Sequence, residues 1–502
     1  MNIGVAGANA SDGGASKNRD RPPACVQLDD NKPPEHPPTP RAAGLTTLEQ
    51  AYHCIFDNSY SGPILDSRTL LVGAFGAFTK ELRRRGSDRA NAVLPALTGQ
   101  RSRDWRAFAG RYQEILDTLA DDAELRQALF TASVRGMVAA LHDDHAAVGT
   151  LFAPPGGSEA SFGFGFRTFP VGGHNPTATE GVTEPVYLDD VTPGTPAALA
   201  GLRPGDLVVA VDGVPAFSNG VLNGGIFALL YPLRTQTDPV RLTVRRPADG
   251  GTRTVEMTPT QLGPGGGPAP GGGPATGGDP APGGGPAPGG GPAPGGGPGP
   301  GGGPEATLLP GGIVKVRMAG FSPGIAGRVL QAIADFRRAG SVNGVILDLR
   351  GNHGGDPAEV GTLLGAFVHG KVWGHSCDVK DHCKPIHRTD DTVPLLNLPL
   401  VALTDGQTVS AGDAFAAAVK DFGIGTLVGD RTGGMASGDA HGYLLDDNNT
   451  VIGMPSTHIL GGNREIISGI GVPADHRIPT TPEDISAGRD PATDKAVEVL
   501  TH

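Results

Sequence analysis

Residues 345–355 read VILDLRGNHGG, and residues 400–413 read LVALTDGQTVSAGD. Both stretches open on an unbroken apolar run that stops at glycine or small polar residues, which is the pattern of a short strand buried on both faces. After the first run, Gly354 and Gly355 stand at the C-terminal end of the strand, where two glycines let backbone N–H groups face a cavity. An oxyanion hole needs that arrangement, and a plain tight turn uses the same residues. After the second run a helix is expected, because Phe415, Val419 and Phe422 fall on one side at helical spacing. Ser410 lies at its start, facing the positive end of the helix dipole and its free N–H groups. It suits a nucleophile, and with Asp413 three residues on it equally suits a capping box. Strands followed by small-residue turns and helices predict an α/β core over residues 306–485, with a short C-terminal segment at 486–502.

Upstream of the core, residues 262–305 restate PAPGGG and have nothing to bury, so they predict a flexible linker. Residues 159–261 hold short β-type runs such as Leu207 to Val211, closed by the turn Asp212-Gly213. Residues 45–158 predict a helical domain. Its apolar stripes are Phe108, Tyr112, Ile115 and Leu119, then Leu125, Leu129, Val134, Met137, Val138 and Leu141. Residues 1–44 have almost no apolar run and read as a disordered arm.

The whole chain has 502 residues and a net charge of −12. That length suits two or three domains. The acidic balance argues against nucleic acid as a partner, since phosphate binding needs clustered Lys and Arg. The tight basic run Arg83-Arg84-Arg85 reads as a solvated helix end. No apolar stretch is long enough for a membrane-spanning helix. The stretch from Met1 to Gly14 lacks the pattern of a signal peptide, which favours the cytoplasm if it is the true start. Cys25, Cys54, Cys377 and Cys383 are compatible with disulfides and an oxidising compartment. Cys377 and Cys383, near His375 and His382, are ranked as a loop disulfide first, free thiols second and a metal site last, because the spacing is not that of a zinc site. No phosphate loop, dinucleotide fingerprint or HExxH segment appears, and no metal or cofactor is expected.

Residues 186–217, VYLDDVTPGTPAALAGLRPGDLVVAVDGVPAF, resemble PDZ domains through Pro193, Gly194, Pro196, Ala197, Ala200, Gly201, Leu202, Gly205, Asp206, Asp212 and Gly213. Upstream, Gly163-Phe164-Gly165-Phe166 resembles the carboxylate-binding loop of that fold. The resemblance implies that glycine N–H groups hold a peptide's terminal carboxylate while the phenylalanines line a pocket for its last side chain. A glycine-rich turn beside a core strand is the plainer reading.

Taken together, DLRGNHGG and TVSAGDAF resemble the carboxyl-terminal processing peptidases and their tricorn-like relatives, over most of residues 45–485. The linker is an insertion that the usual member lacks. The resemblance implies a multidomain α/β protein: a helical N-terminal domain, a PDZ-like β-rich domain and a crotonase/ClpP-like α/β peptidase core. It implies Ser410 as nucleophile, with the N–H groups of Ala411 and of Gly354 or Gly355 as the oxyanion hole. One branch takes its base from a lysine in a Gly-acid-x-Thr-x-Gly-Lys pattern, but that place holds Met435, which accepts no proton. Lys420, on the helix after Ser410, reads as a surface residue. The tricorn-like branch uses a histidine in a Leu-x-Asp-x-His pattern, matched by Leu141 to His145, which implies His145 as general base. A histidine at a helix C-terminus is also favoured by the dipole alone. Where that branch places a glutamate to orient the histidine, ahead of Gly471-Val472-Pro473, this chain holds Ser468. Ser468 can accept a hydrogen bond, and Glu465 or Asp143 are possible substitutes. His353 reads as a loop histidine.

The resulting expectation is a serine endopeptidase that docks peptide C-termini on its PDZ domain and forms an acyl-enzyme on Ser410. The rival expectation is a weak or inactive binding protein on the same fold, carrying an apolar ligand or a peptide. Protein or peptide substrates are the expected partners. Family habit and the paired cysteines point to an extracytoplasmic compartment.

Overall fold

The computed structural model describes residues 22–28, 38–143, 145–151, 161–171, 183–223, 226, 230, 238–262, 303–380, 382–438 and 440–502. Most of the Gly/Pro linker and of the N-terminal arm lies outside the described residues. The chain forms two compact units, one from residues 1–152 with 439–456, the other from residues 153–438 with 457–502.

In the first unit, helices Leu45–Asn58, Ser67–Arg84, Arg101–Leu116 and Ala123–Ala139 bury the stripes expected of them. Asp66 and Asp122 start the second and fourth helices by accepting first-turn N–H bonds. The core is aromatic: Tyr52 stacks on Trp105 at 5.3 Å between ring centroids, and Phe78 meets Tyr112 at 4.3 Å. Helices two and four touch backbone to backbone, since a Cβ on Gly73 would lie 2.4 Å from the Gly136 carbonyl oxygen. Arg84 and Arg85 both pair with Glu81 at the exposed end of the second helix.

A four-stranded antiparallel sheet completes this unit, in the order Val26–Gln27, Ala440–Leu444, Thr450–Pro455, Ala147–Thr150. The hairpin 440–455 thus belongs with the helices, although it was expected within the core at 306–485. Its Tyr443, Leu445, Ile452 and Met454 are buried in the helical core. Part of the arm expected to be disordered is also ordered: residues 26–27 pair with residues 443–444, and Cys25 is disulfide-bonded to Cys54.

The second unit contains a β-rich module and an α/β layer. The module's sheet runs Thr252–Met257, Val240–Arg245, Leu207–Val211, Thr183–Val191, Phe166–Val171. Val186, Leu188, Ala197, Leu202, Val208, Leu242 and Val244 fill its core. The α/β layer is a six-stranded sheet ordered Glu305–Leu309, Ile313–Arg317, Gly344–Asp348, Leu400–Thr404, Thr426–Gly429, His476–Arg477. Its last five strands are parallel. Successive side chains alternate between two apolar cores, as strand geometry requires. Val345 and Leu347 face helices Ile325–Ala339, Pro357–Gly365 and Ala411–Asp421, whereas Ile346, Val401 and Leu403 face helix Pro491–Thr501. The segment 486–502 therefore covers one face of the sheet. A side hairpin, Val372–Cys377 with Cys383–Arg388, is closed by the Cys377–Cys383 disulfide.

Candidate active site

Strands 344–348 and 400–404 are parallel neighbours, so the turns that follow them emerge at the same edge of the sheet, where α/β folds hold their ligands. Hydrogen bonds lock the two turns together. Thr408 Oγ1 donates to the Leu349 carbonyl at 2.8 Å, Val409 N–H to the Asn352 carbonyl at 2.9 Å, and Gly351 N–H to Asp405 Oδ1 at 3.1 Å. Buried Asn352 also donates from Nδ2 to the Met318 carbonyl at 3.0 Å.

Ser410 stands at φ 58°, ψ −119°, in left-handed space. A non-glycine residue there costs roughly 1–3 kcal/mol, and such strain collects at functional sites. It is also the sharp strand-to-helix geometry that lifts a serine hydroxyl out of the backbone. As a helix cap, Ser410 is incomplete. Its own N–H donates to Asp413 Oδ2 at 2.8 Å, but its side chain makes no capping hydrogen bond.

Gly354 lies against it. A Cβ on Gly354 would sit 2.6 Å from Ser410 Cβ, 2.8 Å from Ala411 N and 2.9 Å from Ser410 Oγ, so only glycine fits. The N–H of Gly354 is already committed to Asn352 Oδ1 at 2.9 Å. Among the described residues, the N–H groups of Gly355 and Ala411 make no hydrogen bond. Of the two glycines expected as oxyanion donors, Gly355 is thus the one with a free donor, while Gly354 supplies clearance for the serine.

The remaining candidates fall in different places. His145 is in the first unit, between helix Ala123–Ala139 and strand Ala147–Thr150, and its N–H donates to Asp143 Oδ1 at 2.9 Å. Ser410, Ala411, Gly354, Gly355 and Ser468 are in the second unit. Ser468 is exposed on a turn joined to the Ser410 region by the bond from Gly469 N–H to the Gly434 carbonyl, 2.7 Å. Glu465 lies away from Ser410. Its carboxyl shares the Asn463 N–H with Asp421, at the far end of helix Ala411–Asp421 from Ser410, roughly 15 Å along the axis. Burial and the Asp421 charge push Glu465 up to about 7. Lys420 is ion-paired with Asp475 at 2.7 Å. Met435 N–H donates to Asp413 Oδ2 at 3.0 Å.

In the β-rich module, Phe164 is 2% exposed and belongs to the module's core. Its ring stacks face to face on the half-buried Phe166, 5.8 Å away. Gly165 is required, at φ 77°, because a Cβ there would lie 2.2 Å from the Thr195 side chain. Gly163 ends a short strand paired with residues 260–262. Strand Phe166–Val171 is the last of its sheet among the described residues.

The sequence reading did not foresee the joint between this module and the α/β layer. Arg167 donates to Asp189 Oδ2 at 2.9 Å, and Gln407, three residues before Ser410, donates to the same oxygen at 3.1 Å. His353 faces this joint, and burial followed by the Arg167 charge pushes its pKa down.

Comparison with known proteins places these pieces. Residues 312–478 match peptidase family S41, and residues 187–220 match the PDZ domain. The chain is 30% identical over 167 residues to tricorn protease homolog 1 of Streptomyces coelicolor, covering 33% of this chain and 15% of that protein. It is 27% identical over 252 residues to the chloroplastic C-terminal processing peptidase of Tetradesmus obliquus, covering 48% of this chain and 46% of the relative. The chain thus spans less than half the length of both curated relatives. Among solved structures, the photosystem II D1 C-terminal processing protease aligns with a TM-score of 0.50 at 20% identity, over 88% of this chain and 93% of that one. Mature CPAF aligns with a TM-score of 0.52 at 13% identity, over 91% and 96%. Both likenesses bear on fold alone. The chain therefore carries a peptidase family S41 domain at residues 312–478 with a PDZ domain beside it.

Proposed function

We propose that this chain is a serine endopeptidase that captures peptide C-termini on its PDZ domain and cleaves through an acyl-enzyme on Ser410. The observation that carries this reading is the strained Ser410 backbone, whose hydroxyl makes no cap and whose neighbour Gly354 leaves it room. In the first step Ser410 Oγ bonds to the scissile carbonyl carbon and its proton passes to the His145 imidazole. The oxygen, now anionic, accepts from the N–H groups of Ala411 and Gly355. The C–N bond then breaks, the amine leaves with the proton held by His145, and water repeats the sequence on the ester. Ser468, in the place of the branch's glutamate, is the residue proposed to steady the histidine. Nothing in this route calls on a metal or an organic cofactor.

Strand Phe166–Val171, the last of its sheet among the described residues, suits a peptide added as a further strand, with the Gly163–Phe166 loop at the carboxylate end. Both disulfides, Cys25–Cys54 and Cys377–Cys383, support an extracytoplasmic compartment, where such bonds persist. No helix among the described residues is long and apolar enough to cross a membrane. A carrier on the same fold is not favoured, since a carrier has no use for a strained serine.

The test is labelling of the purified chain with a fluorophosphonate probe. Wild type is expected to label, and Ser410→Ala and His145→Ala are expected to lose the label. An unlabelled wild type overturns the peptidase reading. Label surviving in His145→Ala alone keeps the nucleophile and removes that base.

A further inference from the structure

Asp413 is fully buried one helical turn after Ser410. Its carboxylate gathers donors from two chain segments. Oδ2 accepts the Ser410 N–H at 2.8 Å and the Met435 N–H at 3.0 Å, and Oδ1 accepts the Gly434 N–H at 2.9 Å. The Thr432 hydroxyl favours its charged form as well. Thr432 Oγ1 in turn accepts from Val472 N–H at 2.8 Å, and the Gly434 carbonyl accepts from Gly469 N–H at 2.7 Å. One carboxylate therefore ties the serine turn to segment 432–435 and, through it, to the turn that carries Ser468.

A buried acid satisfied only by neutral donors is a costly way to support a helix, and an exposed first-turn acid would serve the dipole as well. The bonding pattern indicates another use. In a full capping box the acid takes the cap residue's N–H while the cap's hydroxyl takes the acid's N–H. Here only the first half is made, so the backbone of Ser410 is held in left-handed space while its hydroxyl stays uncommitted. The same bond fixes the orientation of the next peptide, which bears the Ala411 N–H. Segment 432–435, with methionine where the Ser–Lys branch places its base, retains a role as donor scaffold for this carboxylate.

We infer that Asp413 is a positioning residue for the nucleophile: it holds Ser410 with a free hydroxyl and aims the Ala411 N–H, and Thr432 holds Asp413. This inference rests on the proposed serine-peptidase reading. Burial pushes the Asp413 pKa up, and the Thr432 hydroxyl and the three N–H groups oppose that rise.

The experiment is fluorophosphonate labelling of the full chain, read both as a rate per site and as an end point, for wild type, Asp413→Asn and Thr432→Val. A group that only props up the fold changes the end point, because fewer molecules are competent, and leaves the rate per competent site alone. A positioning group changes the rate. We expect the wild-type end point in both variants, with labelling slowed roughly 100-fold in Asp413→Asn, the scale of a misplaced reacting group, and less in Thr432→Val. If Asp413→Asn does not fold, a slowed rate at full end point in Thr432→Val still supports the inference. Rates per site equal to wild type overturn it while leaving Ser410 as nucleophile. A wild type that never labels overturns the peptidase reading and this inference with it.

Discussion

Asp348 and Asp413 are both fully buried in the peptidase domain, yet their surroundings act in opposite directions. Asp348 ends the strand before the Gly-Gly turn and meets cations: Arg350 at 2.7 Å and Lys315 at 3.1 Å. Asp490, at the start of helix Pro491–Thr501, pairs with the same two side chains at 2.8 and 3.2 Å. Burial alone would raise the Asp348 carboxyl, but the charge and hydrogen bonds of Arg350, with Lys315, hold it well below the usual range, and Asp490 likewise. Asp413 meets only N–H and O–H dipoles, and burial wins. A buried acid among cations serves stability, because its charge is most favourable in the fold. A buried acid among dipoles serves geometry, because each bond fixes a direction while the charge itself gains little.

That contrast is open to direct attack. Its largest effect belongs to neither acid: Ser410→Ala is expected to reduce peptide or ester turnover by at least about 10⁴-fold at an unchanged unfolding midpoint, measured as kcat beside a urea titration. Asp348→Asn should do the reverse. Removing the buried partner leaves Arg350 and Lys315 with Asp490 alone, at up to about 3–5 kcal/mol of stability, readable as a shifted urea midpoint. The sign with pH follows from the lowered carboxyls. Their contribution is present above the unfolded value near 3.9 and is lost as pH falls through the folded one. Wild type should therefore lose stability on acidification more steeply than Asp348→Asn. Between these two lies Gly354→Ala, whose methyl group would meet Ser410 at 2.6 Å on a backbone at φ 82°. It should slow fluorophosphonate labelling roughly 100-fold while peptide binding by the PDZ domain is retained in an equilibrium assay.

The smallest effect is expected at Glu465, a third carboxyl, set against another acid and raised to about 7 by burial and Asp421. A raised carboxyl contributes stability below its unfolded value, near 4.3, and that contribution is lost as pH rises through the folded one. Urea midpoints should fall slightly between about pH 5 and about pH 8 in wild type. They should do so less in Glu465→Gln, and equal slopes would remove Glu465 as the cause.

Local patterns in the sequence were readable where local physics sets the structure. The apolar runs at 345–349 and 400–403 became central strands because nothing else can bury them, and the stripe from Phe108 to Ile115 became one helix face. The motif of residues 186–213 was readable because each of its glycines answers a local backbone demand, as at Gly194, Gly201, Gly205 and Gly213 with positive φ. Partners distant in sequence were not. Nothing near Arg350 announces Asp490, and nothing near Val26 announces Tyr443 and Leu444. A Gly-Phe-Gly-Phe pattern does not reveal which ring turns inward, and the structure puts Phe164 in the module's core. The dual character of Ser410, cap or nucleophile, was visible in its spacing to Asp413. Only the backbone angle and the direction of one hydrogen bond separate the two.

The hairpin at residues 440–455 has a consequence for how the molecule is made. The first unit joins residues before 153 to this later excursion, so its sheet cannot close while its helices leave the ribosome. Those helices can collapse early on Tyr52, Phe78, Phe108 and Tyr112, but strands 26–27 and 147–150 must wait until residue 455 has been synthesised. Vectorial folding, which usually completes one domain before the next emerges, is here inverted for one layer: strands 26–27 and 147–150 are completed only after the segments between them and the hairpin have been made.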